Sequence, residues 1–364
     1  MQVWSAQIIA IIRLEAKKTF FAKRGLWIYL LALMPVVLFV GHAIAVGHQN
    51  EARARLARQN ERPLTHQDLA GIASGMTRQE VTQRLGKPPV AHSWDERGLG
   101  PDSSQVVVHD TYHYSDGADD LHIRMEGGKV TGTTLGHGET LGEDSMVFAG
   151  VFQFFYLRLA VFFGCLGIFM NLFRGELLDK SLHFYFLAPI RREVLMAGKY
   201  LAGLLAATVI FITSTALQII ALAWSVDANA LNAYLYHGHG IAHAASYLGI
   251  TLLACIGYGS FFLAAGLLFR NPIFPAAGIL IWEALNPFLP AVLQKFSVIY
   301  YLKSLCPVEI PADPGTPPLL ALLISNPDPI AAPIAIAGVI LVSLLVLFVS
   351  SFEVRRMEIN YTTE

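Results

Sequence analysis

The chain predicts a mostly α-helical membrane protein. It should have six transmembrane helices, an N-terminal amphipathic interfacial helix, and a small α+β extracytoplasmic domain between helices 1 and 2. Three observations lead there. Of 364 residues, 54% are hydrophobic and 15% charged, with mean hydropathy +0.50, whereas a soluble domain carries about 25% charged residues. Apolar stretches near 20 residues long, enough to cross a bilayer, recur along the chain. One polar block, residues 48–146, interrupts them.

Residues 1–47 hold the first two elements. Trp4, Ile8, Ile11, Ile12 and Phe20 repeat at near-helical spacing, while Arg13, Lys17, Lys18 and Arg24 gather towards one end. That pattern predicts a helix lying in the membrane interface. The apolar run that follows is too long for a signal peptide and lacks a small-residue cleavage motif. The first span is expected over 26–47, where Pro35 is tolerable in lipid. Residues 147–364 supply the other spans, over 147–172, 200–224, 244–269, 272–290 and 330–352. Gly25, Gly198, Gly203, Gly257 and Gly266 permit close helix packing.

Lysine and arginine bias orients the chain. With a cytoplasmic N-terminus, the inside segments hold Arg13, Lys17, Lys18, Lys23, Arg24, Arg174, Lys180, Arg191, Arg192, Lys199, Arg270, Arg355 and Arg356, and the short outside loops hold Lys295 and Lys303. Both termini are therefore expected in the cytoplasm. Arg53, Arg55, Arg58 and Arg62 fall outside, but they open a long domain, and long domains translocate largely regardless of charge. The net charge of -1 gives no reason to expect a nucleic-acid partner. Cys165 and Cys255 lie in apolar segments and Cys306 stands apart, so no disulfide framework is expected.

Residues 48–146 read as their own unit. Residues 50–62 continue the first span as a solvated stalk. Thr77-Arg78-Gln79-Glu80 has the form of a capping box, Val81 and Leu85 face a core, and Gly86 with Pro88 closes the helix. Val106, Val108, Thr111, Tyr112 and Tyr114 mark a strand, Asp116-Gly117 a turn, Leu121 to Met125 a second strand, and Gly127-Gly128 a turn into Val130. His109, His113, His122 and His137 sit in or beside these strands at spacings that match no metal cage; solvated strand-face histidines are expected, and no metal ligand is assigned. The strings GMTRQEVTQRLGKP and YHYSDGADDLHIRMEGGKV resemble the SmpA/OmlA (BamE-like) fold of small envelope lipoproteins. That resemblance implies an extracytoplasmic setting at a bacterial inner membrane, with an envelope protein as a partner for the domain.

The stretch from Asn171 to Lys199, NLFRGELLDKSLHFYFLAPIRREVLMAGK, is charged between two apolar neighbours. A charged helix between spans is a handle for a soluble partner. Within 173–199 the candidate coupling residues are Arg174, Glu176, Asp179, Lys180, His183, Phe184, Arg191 and Arg192. Polar groups inside apolar segments are costly and often functional. Arg158 either lines a path or binds lipid phosphate, or the helix starts later and Arg158 snorkels. Glu283 and Asn286 share a helix face; they form an outer gate, pair across a dimer axis, or are simply solvated at a helix end.

The segment 173–199 resembles the cytoplasmic coupling segment of ABC-2 type transporter permeases. Three further stretches are similar to that family: the entry RLEAKKTFFAKRGLWIYLLALMP, the stretch WEALNPFLPAVLQKFSVIYYLKSLCP with short re-entrant helices at 291–307, and the basic close FEVRRMEINYTTE. The domain at 48–146 departs from the pattern. The resemblance implies a permease subunit, pairing with a second permease chain as homo- or heterodimer, among membrane lipids, driven by two copies of a separate ATPase that binds ATP and Mg. It also implies export of a lipid-like or amphipathic compound. The chain itself has no P-loop, since Gly86-Lys87, Gly128-Lys129 and Gly198-Lys199 lack the flanking Gly and Ser/Thr. No cofactor is expected in it. Two other readings stand: an accessory envelope protein that binds a partner through the outer domain without transport, and a membrane-embedded enzyme, for which no HExxH is present.

Overall fold

The computed structural model describes residues 2–21, 25–97, 106–138, 141–178, 191–269, 273–310 and 330–356. The chain divides into two compact units, Met1–Val40 with Asp144–Glu364, and Gly41–Glu143.

Five helices are long and apolar enough to cross a membrane: Leu26–Gln59, Leu141–Phe173, Arg192–Ser225, Gly240–Leu268 and Ala332–Arg355. They mark a membrane protein, and they are called the first to fifth long helices below. The larger unit is cored by aromatic side chains, among them Phe152, Phe169, Phe211 and Tyr258. At Gly266 an added Cβ would lie 3.1 Å from the Cα and carbonyl oxygen of Met170. The fourth long helix thus meets the backbone of the second, an approach that a larger residue would crowd. The second long helix is not α-helical throughout, because Val151–Val161 runs as a π-helix before α-geometry resumes at Phe162. Such stretches are rare and concentrate at functional sites.

Among the described residues, the span expected over 272–290 is not one long helix. The helix Ile273–Leu285 has 13 residues, about 20 Å at 1.5 Å per residue, which falls short of a hydrocarbon core of about 30 Å. A single turn at Asn286–Phe288 and the helices Ala291–Gln294 and Val298–Ser304 follow. The cause is local: Pro287 and Pro290 cannot donate backbone hydrogen bonds, and Leu289, before Pro290, is extended at ψ 152°.

The N-terminal helix Gln2–Phe21 forms as expected, but its apolar stripe divides. Ile11 is buried against Gly198 at the start of the third long helix, while Trp4, Ile9 and Leu14 remain exposed.

In the smaller unit, strands β1 (Val90–Arg97), β2 (Val106–Ser115), β3 (Asp120–Glu126) and β4 (Lys129–Gly136) form an antiparallel sheet in the order 1-2-3-4. Alternation places Tyr112, Tyr114, Leu121, Ile123, Met125 and Val130 in one core with Leu69, Val81 and Leu85. The Thr77–Glu80 capping box forms, and Gly86 ends that helix at φ +86°. A second box, Thr65–Asp68, starts the helix His66–Ala70. The expected turns lie at Gly117, Gly127 and Gly128, all at positive φ. Two elements were not read from the sequence, β1 and His66–Ala70. Asp110 on β2 is buried and accepts hydrogen bonds from Arg78 and Ser93.

Candidate functional site

The third long helix opens inside the expected coupling segment, 173–199, and its first two turns collect contacts from three other helices. Arg191 precedes it in extended conformation, and its guanidinium lies 5.0 Å from the centre of the Trp4 ring. Arg192 donates to the carbonyl of Arg355 at 2.8 Å, and Arg355 pairs with Glu193 at 2.5 Å. Glu193 suits this position, since a carboxylate in a first turn meets the positive end of the helix dipole. Two turns on, Lys199 donates to Glu15 Oε1 at 2.6 Å and to the carbonyl of Leu172 at 2.8 Å. Its ammonium also faces the Phe173 ring at 5.4 Å.

Lys199 is fully buried and Glu15 nearly so. Neither charge is tolerable there alone, because an isolated buried ion loses its hydration with nothing in exchange. The ammonium therefore welds the N-terminal helix to the second and third long helices. Arg192 and Glu193 add the end of the fifth.

The expected coupling residues fall unevenly. Arg191 and Arg192 belong to this node. Arg174 and Glu176 lie on the last turns of the helix Phe162–Leu178. Asp179, Lys180, His183 and Phe184 lie outside the described residues.

A second cluster surrounds the broken segment. Glu283 accepts from Ser297 Oγ at 2.9 Å and from the backbone N–H groups of Val298 and Ile299 at 3.0 and 2.8 Å. Its carboxylate thereby caps the helix Val298–Ser304, satisfying donors that the helix leaves open. Asn286 donates to the carbonyl of Gln294 at 3.1 Å. Both side chains are buried and internally bonded, so neither is a solvated helix end; together they brace three short helices. Arg158 lies within the π-helical stretch, well inside a helix that begins at Leu141. A later helix start is thereby ruled out. Its guanidinium and the Lys303 ammonium approach the Phe154 ring at 5.5 and 5.8 Å. The Arg158 Nε and both amide atoms of Gln153 are buried without a hydrogen-bond partner among the described residues. The structure thus places Arg158 with Phe154 and Lys303, while Glu283 and Asn286 serve the brace.

Glu15, Trp4, Glu193, Phe154, Lys303 and Arg355 were not among the expected site residues. Glu15 carried a signal, being the one acid in an otherwise basic and apolar helix, QVWSAQIIAIIRLEAKKTFF. Such an acid needs a cation, and Lys199 enters the apolar run of the third long helix. No protein-family model, curated protein or solved structure matches the chain.

Proposed function

We propose that the chain is the membrane-spanning permease subunit of an ATP-driven transporter, moved by a separate ATPase that docks on residues 173–199. The observation that carries this reading is the node at the third long helix. Force applied to the docking segment enters at Arg191 to Lys199, where the N-terminal, second and fifth long helices are all tied. A lever needs such a rigid attachment to the bundle it moves.

Chain direction supports six crossings despite five long helices. The third and fourth long helices run antiparallel, with Tyr200 bonded to Ile256 and Thr215 to Thr251. Arg192 meets Arg355, so the fifth long helix ends where the third begins. The fourth ends on that side too, and residues 269–331 must then return to the other. The short helix Ile273–Leu285 and the braced turns after it are the described part of that return. With the basic bias, this favours cytoplasmic termini in a bacterial inner membrane, and residues 48–146 outside. Two such chains, or this chain with a second permease, would pair above an ATPase dimer that holds ATP and Mg. A lipid-like or amphipathic cargo is the family-level expectation.

The test is charge reversal of Glu176 and Asp179 together to lysine. Membrane insertion should be normal, while co-purification with the ATPase and its stimulated ATP hydrolysis should be lost. A double variant that retains its ATPase at the parental hydrolysis rate removes the segment from the mechanism. If the unmodified chain, isolated in native complexes, carries no ATPase at all, the accessory-protein reading takes its place.

A further inference from the structure

We propose that His66, Asp119 and His137 in the smaller unit form a binding site for a divalent transition-metal ion of the zinc class. The three come from distant points of the chain. His66 opens the helix His66–Ala70, Asp119 lies in the turn between β2 and β3, and His137 follows β4. Their donor atoms nevertheless converge, all within 4.8 Å of one another. His66 Nδ1 lies 2.6 Å from one Asp119 oxygen, and His137 Nδ1 3.2 Å from the other. Donors bound at about 2.0–2.2 Å around a tetrahedral ion sit roughly 3.3 Å apart, so the gap is near the right size.

The chemistry of the donor set selects the ion. Two imidazoles and one carboxylate suit zinc and its neighbours in the first transition row, and suit calcium or magnesium poorly, since those take oxygen ligands. Three protein ligands leave a fourth position. His66 and His137 are more than half exposed, at 56% and 59%, while Asp119 is only 13% exposed. The open position therefore faces solvent, where water or a partner's side chain can complete the shell.

The carboxylate is held in place for this task. The Asp119 N–H donates to Asp116 Oδ1 at 2.7 Å, and Ser115 Oγ donates to the Asp119 carbonyl at 2.7 Å. Arg53 donates towards the His137 carbonyl at 3.5 Å and pairs with the adjacent Asp120 at 2.9 Å. Such outer supports orient ligands and raise affinity. Without metal, a carboxylate can only accept, so each Nδ1 must carry a proton to bond it. An ion bound at Nδ1 takes the place of that proton, and the neutral ring keeps its one N–H on Nε2. None of this depends on the transport reading.

The full-length protein in detergent, purified without a histidine affinity handle and stripped with chelator, is titrated with Zn2+ alone and, in parallel, with Co2+ as a visible-absorption probe. The parent should take up a tight equivalent whose cobalt bands indicate four or five ligands. His66→Gln and His137→Gln should each weaken it more than about 10-fold, the least that loss of even an outer-shell partner brings, while His122→Gln should leave it unchanged. Both target side chains are exposed, so these changes spare the core. A variant-free check is carbethoxylation followed by mass spectrometry, in which Zn2+ should shield His66 and His137 and leave His122 reactive. Equal zinc affinity in the parent and both glutamine variants, or no shielding of His66 and His137, overturns the site.

Discussion

The two units secure their helices in different ways. In the smaller unit the helix starts are secured by residues three apart, Thr65 with Asp68 and Thr77 with Glu80, at the solvent edge. In the larger unit the decisive polar contacts are buried and join distant parts of the chain. Lys199 and Glu15 are 184 residues apart, and Glu283 reaches 14 to 16 residues forward to cap a helix. Water explains the difference. At a solvated edge a lost partner is replaced by solvent. Inside a bundle without water, a lost partner leaves a bare charge or donor.

The contrast is open to direct test, beginning where the effect should be greatest. Lys199→Met takes the 2.6 Å partner from the buried Glu15 carboxylate and leaves Lys18 at 3.9 Å, and should destabilise the protein by about 3 kcal/mol. Adding Glu15→Met removes the buried acid as well and should restore much of the loss, read by reversible unfolding in mixed detergent. If the double variant is no more stable than the single, the pair is not the buried unit described here. Glu283→Gln keeps the shape but removes the charge from three hydrogen bonds, and should cost about 2 kcal/mol in the same assay. A change near zero would mean that the short helices stand without their brace.

Effects in the smaller unit should be lesser and should depend on acid. Thr77→Ala removes a helix cap and should cost about 1 kcal/mol. The backbone and hydroxyl of Thr77 hold the Glu80 carboxyl below its ordinary value of 4.5. Its contribution is therefore complete above that value and is lost as pH falls through the lowered one. Melting of the parent should drop in that acid range, and the drop should be smaller in Thr77→Ala. An identical acid profile in both would show that Glu80 is not held by the cap. Least of all, Glu51→Ala breaks an exposed pair with Arg55 and should shift stability by less than about 0.5 kcal/mol; a larger loss would blur the distinction between the units.

The same division explains what was legible in the sequence. The Thr77 cap, the turns at Gly117 and Gly127, and the alternating strands are each written within a few residues, and each is where it was expected. Four of the long helices also follow from hydropathy alone, and the first extends to Gln59 as the stalk pattern required. The break after Leu285 was written in Pro287 and Pro290, yet the apolar run around them reads as continuous when only hydropathy is followed. The partnerships Lys199–Glu15, Glu283–Val298 and His66–Asp119–His137 have no local signature, because each exists only after distant elements pack. Strand β1 hid for another reason. VAHSWDER mixes charge into both faces, and its pairing partner β2 is what makes it a strand.

The hydrogen bond from Lys199 to the Leu172 carbonyl spans 27 residues of chain. Topologically it closes the stretch from Leu172 to Lys199 into a ring, with this bond as a clasp. The entropy of closing a ring grows only with the logarithm of its length, so doubling the circumference adds about 0.6 kcal/mol. Insertions within the ring are therefore nearly free, whereas opening the clasp exposes a buried ammonium. The length and composition of the stretch between can therefore be fitted to whatever surface it meets, while Lys199 and its two acceptors stay fixed.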